Sequence, residues 1–221
     1  MKSSRRLAIF ISLVVYVIGT SLVLVALSTD FWAESEPLHR FGKASKYSYF
    51  HTGLFVGVRQ LDYGYGPRRE YFSMFAELDD GISFFGKFTW IFTLFLIGVG
   101  LIWSFVGLFV SFLNLFVEEI NTVAGPRGLH IWSWLSVASY VFAMTLYCKQ
   151  FFGTMRYNVL LREHLLDDFS SDGLVHLGVS FYVFCMATVL HIFPSVMILL
   201  TDEREKISEK EKSMDPTVLL Y

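Results

Sequence analysis

The chain has 221 residues, of which 54% are hydrophobic and 18% aromatic, and its formal net charge is −2. Soluble domains carry more charge and less apolar content, so this composition predicts a membrane protein. Basic residues form no concentrated run of the kind that nucleic-acid-binding proteins present, and we set nucleic acid aside as a partner.

Four apolar runs follow one another, and each has the roughly 20 residues that a helix needs to cross a hydrocarbon core of about 30 Å. They predict membrane-spanning helices at about 7–27, 88–117, 129–147 and 174–200. The first run is longer than the apolar region of a signal peptide, so we expect it to be a retained helix. The predicted fold is an all-α membrane protein, with a four-transmembrane-helix bundle within residues 1–201.

The charges before the first run predict the orientation. Lys2, Arg5 and Arg6 lie directly beside this span, and basic residues at such positions stay on the cytoplasmic side. With four spans, both termini of this multi-pass protein are then cytoplasmic. The connections 28–87 and 148–173 are predicted to be extracellular.

Small and polar residues recur on one face of each predicted helix. Lipid gives helices no hydrophobic reason to associate, so close approach through small side chains must supply much of the attraction. We expect these faces to pack a compact bundle, and the alternative is a contact with a second protein. In the second helix the residues are Gly100, Ser104, Gly107 and Ser111. The other helices carry Ser12, Tyr16, Gly19 and Ala26; Ser133, Ser136, Tyr140 and Ala143; and Ser180, Ala187, Thr188, His191 and Ser195.

His191 is the ionisable residue that lies well inside a predicted span. Such residues are functional candidates, for example as proton carriers or ligands. We expect no carboxylate, lysine or second histidine at its depth, and we interpret it as a neutral imidazole that hydrogen-bonds to Ser or Thr across the bundle. The other histidines lack metal-ligand spacing and no catalytic motif is found, so the sequence predicts no enzyme activity, no metal and no cofactor.

The long connection 28–87 contains two β-prone segments, "YSYFHTGLFVGV" and "REYFSMF", separated by the turn-forming "DYGYGPRR". Aromatic and β-branched residues favour strands, and glycine with proline favours a turn. We therefore predict a small extracellular antiparallel β-sheet in this first loop, with its turn at 64–67. Gly53 and Gly57 are expected to mark bends or close approaches of the backbone.

The layout resembles the claudin-like superfamily of four-span membrane proteins. The resemblance depends on the long first loop, on Trp32 just after the first span, and on the "GLF" motif of Gly53, Leu54 and Phe55. Within this superfamily, "GLFVGVRQ", "GPRGLHIW" and the apolar ending with tyrosine look most like the clarins. The resemblance implies a sheet that lies over the helices. The four named residues are candidates for binding a partner or for holding the loop fold.

Two departures from these families are visible. Claudins carry two cysteines in the first loop, whereas the cysteines here, Cys148 and Cys185, lie in or beside apolar runs and are expected to be packing residues. Clarins often carry an N-glycosylation sequon in the loop. None occurs here, since Asn114, Asn121 and Asn158 lack Ser or Thr two positions later.

The resemblance to clarins implies a non-enzymatic organiser or auxiliary subunit. Such a protein stabilises, traffics or positions another integral membrane protein, namely a channel, receptor or adhesion protein. The implied location is the plasma membrane of sensory or actin-rich cells, at mechanosensory or synaptic assemblies. Two alternatives remain: a claudin-type cell–cell adhesion or barrier protein, and a small channel or transporter that uses His191 and the polar stripes.

Residues 202–221 are mixed in charge and predict a largely disordered cytoplasmic tail, with room for a short helical extension at its start. Leu219 and Tyr221, followed by a free carboxylate, match what a PDZ scaffold captures. Asp215 with Leu219 and Leu220 also resembles an acidic dileucine signal for a sorting adaptor.

Overall fold

The computed structural model describes residues 2–79, 86–116 and 125–214. Four of its helices are long and apolar enough to cross a membrane, which confirms that part of the sequence prediction. In chain order the helices are α1 (Lys2–Ser28), α2 (Met74–Asp79), α3 (Lys87–Phe116), α4 (Pro126–Gln150), α5 (Arg162–Leu166) and α6 (Val179–Met214), and a π-helical segment, Phe151–Met155, continues α4. The four candidate spans lie in α1, α3, α4 and α6.

Short strands form two antiparallel sheets. The strands are β1 (Ala33–Ser35), β2 (His39–Arg40), β3 (Lys43–Ala44), β4 (Tyr49–Thr52), β5 (Val56–Asp62), β6 (Pro67–Ser73), β7 (Phe169–Ser170) and β8 (Val175–Leu177). The five-stranded sheet has the order β6-β5-β4-β1-β8, and the three-stranded sheet has the order β3-β2-β7.

The prediction of a small antiparallel sheet is confirmed, but its restriction to the first loop is wrong. Strand β8 comes from the connection between α4 and α6 and pairs with β1, and β7 from the same connection pairs with β2. Backbone N–H and C=O groups need partners, and these two strands supply them along edges that the first loop leaves open. Strands from both connections therefore form the two sheets, which we call together the sheet region (β1 to β8).

The first loop differs in detail from the predicted hairpin. The segment "YSYFHTGLFVGV" gives β4 and the start of β5 rather than one strand, because the chain turns at residues 53–55. The tight turn between β5 and β6 contains Gly64 and Gly66, whose φ angles are 91° and 108°. Side chains rarely tolerate this conformation, so the glycines allow the turn.

The last long helix begins later than predicted. The apolar residues from 174 onward predict a span, but residues 175–177 form β8 and α6 starts at Val179. Val175 is buried and His176 is exposed, which is the alternation of a strand. The break comes at Gly178, whose N–H donates to the carbonyl oxygen of Trp32 at 2.9 Å.

The same helix also ends later than predicted. It continues to Met214, so the helical extension expected at the start of the tail covers residues 202–214 and is longer than the short one predicted. Glu, Lys and Arg are good helix formers, and Asp202 and Lys206 have the i, i+4 spacing that stabilises a helix.

The chain divides into two compact units, which we call the helical unit and the sheet unit. The helical unit comprises Met1–Thr20, Gly100–Ala138 and Ala187–Tyr221, and the sheet unit comprises Ser21–Val99 and Ser139–Met186. In the helical unit, the buried core cluster consists of Tyr16, Val110, Leu129 and Ile198. In the sheet unit, the largest fully buried side chains include Trp32, Trp90, Arg59, Tyr140 and Tyr147.

Candidate interaction site

Trp32, a candidate from the sequence, lies in the core of the sheet unit and is 0% exposed. Its Nε1 donates a hydrogen bond to the carbonyl oxygen of Ala26 at 2.6 Å. Its ring packs against three aromatic rings at centroid distances of 5.1, 6.1 and 5.3 Å, those of Tyr147, Phe181 and Phe184. The side chain therefore fixes the start of the sheet region to the ends of three long helices.

The Gly-Leu-Phe motif is mostly internal. A Cβ atom on Gly53 would lie 2.6 Å from the backbone oxygen of Thr29, so the glycine permits a close approach of two backbone segments. Leu54 is 0% exposed, whereas Phe55 is 41% exposed. Of the three motif residues, only Phe55 presents its side chain at the surface, where a partner can touch it.

The small-residue stripe of α3 is buried. Gly100, Ser104, Gly107 and Ser111 all lie in the interior. The hydroxyls of Ser104 and Ser111 donate to the carbonyl oxygens of Gly100 and Gly107, both at 2.9 Å. Because each hydroxyl is satisfied on its own helix, the stripe stays small and smooth, which allows other helices to come close.

Tyr16 of α1 occupies the space beside Gly107. A Cβ atom on Gly107 would lie 2.6 Å from Cζ and 2.7 Å from the hydroxyl oxygen of Tyr16. That hydroxyl donates to the carbonyl oxygen of Leu129 at 3.4 Å. Parts of α1, α3 and α4 thus meet around one aromatic ring in the helical unit.

We expect Gly107→Val to destabilise the protein by about 1–3 kcal/mol, since the added atoms overpack a filled site. The matched control is Gly98→Val on the same helix, where a Cβ atom would meet nothing within 4 Å. Thermal unfolding of both purified variants in detergent measures the difference. Equal midpoints for the two variants would contradict the packing role of the stripe.

His191 is buried in the helical unit, with 1% of its surface exposed. Its Nδ1–H donates to the carbonyl oxygen of Ala187 at 2.7 Å. The hydroxyl of Ser133 on α4 donates to the main-chain oxygen of His191, and the ring of Tyr16 lies edge-on at 5.7 Å. These contacts join three helices.

A second histidine, His130, contacts the helix that carries His191, which the sequence analysis did not expect. His130 of α4 shares a hydrogen bond with Ser195, one turn after His191 on α6. The signal in the sequence was Pro126, because proline favours the first position of a helix. Helix α4 begins at Pro126, which places His130 in its second turn rather than in a loop.

The sequence analysis also missed Arg59, whose side chain on β5 is 0% exposed. Its Nη2 donates to Glu77 Oε1 at 3.1 Å, and its Nη1 lies 3.6 Å from Glu70 Oε2. The guanidinium lies 4.8 Å above the ring centre of Phe72. Its Nη2 also lies 3.5 Å from the carbonyl oxygen of Val159, so this buried charge joins the first connection to the second.

A cavity of about 480 Å³ lies beside Arg59, between the β5–β6 hairpin and α5. His164 of α5 lines it and is 5% exposed. Burial lowers the pKa of His164, and the positive charge of Arg59 lowers it further. The cavity lining consists of Arg59, Leu61, Tyr63, Arg68, Arg69, Glu70, Glu163, His164 and Asp167.

The lowered pKa of His164 predicts acid sensitivity. Above pH 6.5, the ordinary pKa of histidine, His164 is neutral in both the folded and the unfolded chain and does not change the free energy of unfolding. Below this pH the unfolded chain binds a proton at His164 more readily than the folded protein does, so the free energy of unfolding decreases. We expect the thermal midpoint to fall from pH 7.5 to pH 5.0, and by less in His164→Leu. The carboxylates that face His164 are Glu163, Glu70 and Asp167, so an identical fall in His164→Leu would assign the effect to them instead.

The remaining sequence candidates are placed as follows. Cys148 and Cys185 are free thiols, and Cys185 Sγ lies 3.2 Å from Met144 Sδ. Within the described ranges, no group of three or more His, Cys, Asp and Glu residues is arranged to hold a metal ion. The tail candidates lie outside the described residues; they are Asp215, Leu219, Leu220 and Tyr221.

Neither a scan against models of protein families nor a search of curated proteins finds a match to this chain.

Proposed function

We propose that this chain is a clarin-like, non-enzymatic membrane protein that acts as an organiser or auxiliary subunit of another integral membrane protein. In this proposal the sheet region is extracellular and contacts a channel, receptor or adhesion protein. The long helices anchor it in the plasma membrane of sensory or actin-rich cells, at mechanosensory or synaptic assemblies. The C-terminal tail binds a PDZ scaffold or a sorting adaptor.

The observation that carries the proposal is a set of exposed aromatic side chains on the first connection. Tyr65 is 101% exposed and Tyr71 is 73% exposed, on a hairpin whose strands are fixed by seven paired positions. Tyrosines dominate binding energy at protein interfaces, because they bury a large area and keep a polar tip. Two further exposed aromatics, Phe41 and Tyr47, lie in the same connection.

The placement of the helices in the membrane is proposed from their exposed side chains, and their orientation is proposed from the charges in the sequence. The large apolar side chains that α3 exposes, among them Phe92, Phe95 and Phe109, would be covered by lipid. Lys2, Arg5 and Arg6 favour a cytoplasmic N-terminus. With four spans the sheet region then lies outside the cell and both termini inside.

Gentle-detergent purification of the tagged full-length chain from its native cells tests the proposal. We expect one integral membrane protein to co-purify at near-stoichiometric yield. Tyr65→Ser combined with Tyr71→Ser is expected to lower that yield at least tenfold, since each truncated hot-spot residue costs about 1–2 kcal/mol. The control combines Lys43→Ser with Lys46→Ser, two exposed residues of the same connection.

Two outcomes would contradict the auxiliary-subunit proposal. Recovery of homo-oligomers that bind each other between opposed membranes would favour a claudin-type adhesion or barrier protein. A conductance of the purified chain that is lost in His191→Phe, with surface expression unchanged, would favour a channel or transporter.

A further inference from the structure

We propose that a group of exposed apolar side chains beside the ends of α1 and α6 contacts lipid, so that part of the first connection lies in the headgroup layer of the membrane. The binding partner of these side chains is the surface of the lipid bilayer itself. We call them the apolar rim: Phe31, Phe55, Val56 and Phe75. The inference goes beyond the auxiliary-subunit proposal and rests only on the placement of the long helices in a membrane.

The ends of two candidate spans mark the boundary of the hydrocarbon core. The first span ends at Ser28 and the last one begins at Val179. Beside these ends the hydroxyl oxygens of Thr29 and Ser180 lie 2.7 Å apart. The N–H of Ser180 also donates to the carbonyl oxygen of Phe31 at 2.9 Å. The two spans therefore end at one level, and the main chain of Phe31 lies at that level.

The turn between β4 and β5 lies at the same level. A Cβ atom on Gly53 would lie 2.6 Å from the backbone oxygen of Thr29, so this turn touches the chain directly after the first span. Phe55 follows two residues later, and two extended residues cover at most about 7 Å. The headgroup layer is about 5–8 Å thick on each side of the hydrocarbon core, so Phe55 and Val56 lie within reach of it.

Helix α2 adds the last member of the apolar rim. The N–H of Met74, its first residue, donates to the carbonyl oxygen of Phe55 at 2.9 Å. The rings of Phe55 and Phe75 stack with their centroids 6.3 Å apart. In spite of such contacts, the four side chains of the rim remain 40–54% exposed. Grouped apolar side chains are unfavourable in water, and lipid would cover them.

The backbone of the turn suits a layer that is poor in water. The N–H of Gly53 donates to the carbonyl oxygen of Val56 at 2.8 Å, which closes the turn. The N–H of Trp32 donates to the carbonyl oxygen of Thr52, also at 2.8 Å. Backbone groups that leave water need partners within the protein, and these groups have them.

The acidic side chains near the rim turn to partners within the protein. Asp30, next to Phe31 in the chain, has its Oδ2 3.4 Å from Nδ1 of His51. Glu77, in the first turn of α2, has its Oε1 3.1 Å from Nη2 of Arg59. An unpaired carboxylate would resist insertion into the interface, because leaving water is costly for a charge. Both partners reduce this cost.

The chemistry of the rim favours lipid over a protein partner. Phenylalanine and valine have no polar group, whereas the tyrosines that dominate protein interfaces keep a polar tip. Such a tyrosine, Tyr65, lies beyond the far end of β5, a strand about 20 Å long at about 3.4 Å per residue. Beside the rim, α6 exposes Val179 and Tyr182 at the start of its span. The rim therefore continues a surface that lipid covers.

Electron paramagnetic resonance of nitroxide labels on the purified full-length chain in lipid nanodiscs tests the inference. Cys148→Ala with Cys185→Ala gives a chain without native thiols, since both cysteines are free. Phe55→Cys and Phe75→Cys then place one label at a time on the rim. Molecular oxygen dissolves in lipid and a nickel chelate stays in water, so the ratio of their collision rates with the label reports whether it lies in lipid.

Two control positions bracket the expected result. Tyr65→Cys, at the fully exposed tip of the hairpin, gives the ratio for water. Phe92→Cys, at an exposed position within the span of α3, gives the ratio for lipid. We expect the oxygen-to-nickel ratio at residues 55 and 75 to be several-fold higher than at residue 65, and to lie between the two controls.

Several outcomes would overturn the inference. A ratio at residues 55 and 75 equal to that of Tyr65→Cys would place the rim in water. Labels shielded from both oxygen and the nickel chelate would show that a second copy of the chain covers the rim instead of lipid. A water-like ratio at Phe92→Cys would refute the membrane placement of the helices along with the inference.

A second measurement avoids the removal of the native cysteines. Benzoylphenylalanine replaces Phe55 or Phe92 in the otherwise unchanged chain, and illumination in nanodiscs links it to its neighbours. A lipid adduct at residue 55, detected by mass, supports the inference, and an adduct at residue 92 alone would refute it. Since neither assay contains a partner protein, their failure leaves the auxiliary-subunit proposal standing, and the failure of co-purification leaves the apolar rim standing.

Discussion

Arg59→Ala is expected to destabilise the protein by about 3–5 kcal/mol, because it removes one member of a buried ion pair and leaves the other buried. The Glu77 side chain is 13% exposed, and it would lose the guanidinium that now lies 3.1 Å away. The hydrogen bond to the carbonyl oxygen of Val159 and the contact with the Phe72 ring would also be lost. Chemical denaturation of the purified chain in detergent, followed by tryptophan fluorescence, measures this change.

Two further variants separate charge burial from the loss of an arginine as such. Arg68→Ala changes an exposed arginine of the same hairpin and should alter the free energy of unfolding by less than about 0.5 kcal/mol. Arg59→Met combined with Glu77→Leu removes both charges and keeps apolar volume, so it should recover most of the loss. If Arg59→Ala is no more harmful than Arg68→Ala, the pair does not hold the hairpin to the second connection.

The long helices could be predicted because their signals are local and repeated. Each apolar run exceeds the length that a span needs, and the stripe of Gly100, Ser104, Gly107 and Ser111 repeats at helical spacing. The structure buries the whole stripe. What the pattern could not give was the neighbour of each small residue. That Tyr16 fills the space beside Gly107 depends on the packing of distant segments.

The sheet region could be predicted only in part. The β5–β6 hairpin has seven paired positions and a glycine-rich turn, so the alternation and the turn were visible in the sequence. The two strands of the second connection have two and three residues, which is too short for any periodicity to appear. Val175–Leu177 instead had the apolar content of a helix, and only its pairing with β1 makes it a strand.

The cavity was outside the reach of sequence analysis for a related reason. Arg59 follows Val58 in an alternating strand, and charged residues are rarely fully buried, so the sequence favours a solvent-exposed arginine. Its burial depends on Glu77, 18 residues later, and on Val159, 100 residues later. His164 also looks like one of several scattered histidines until α5 is seen beside the hairpin.

Trp32→Ala is expected to cost about 3–5 kcal/mol, the range for truncating a fully buried tryptophan. The indole is 0% exposed, packs against three aromatic rings, and donates to Ala26 at 2.6 Å. Trp32→Phe keeps much of the ring volume but loses this hydrogen bond, so we expect a smaller cost of about 1–3 kcal/mol. Thermal midpoints and cell-surface yield of both variants measure the effect. Tyr65→Ala, at a fully exposed aromatic residue, is the control and should change stability by less than about 0.5 kcal/mol.

These variants also decide whether the tryptophan acts in binding or in folding. If Trp32 holds the fold, co-purification of a partner should fall in proportion to the amount of folded chain, and Trp32→Phe should restore both together. Tyr65→Ala should show the reverse, with stability unchanged and partner recovery reduced. A Trp32→Ala protein that unfolds at the wild-type midpoint but recovers no partner would contradict the structural role and assign the indole to direct contact. The indole is buried and packs against three aromatic side chains, which favours the first result.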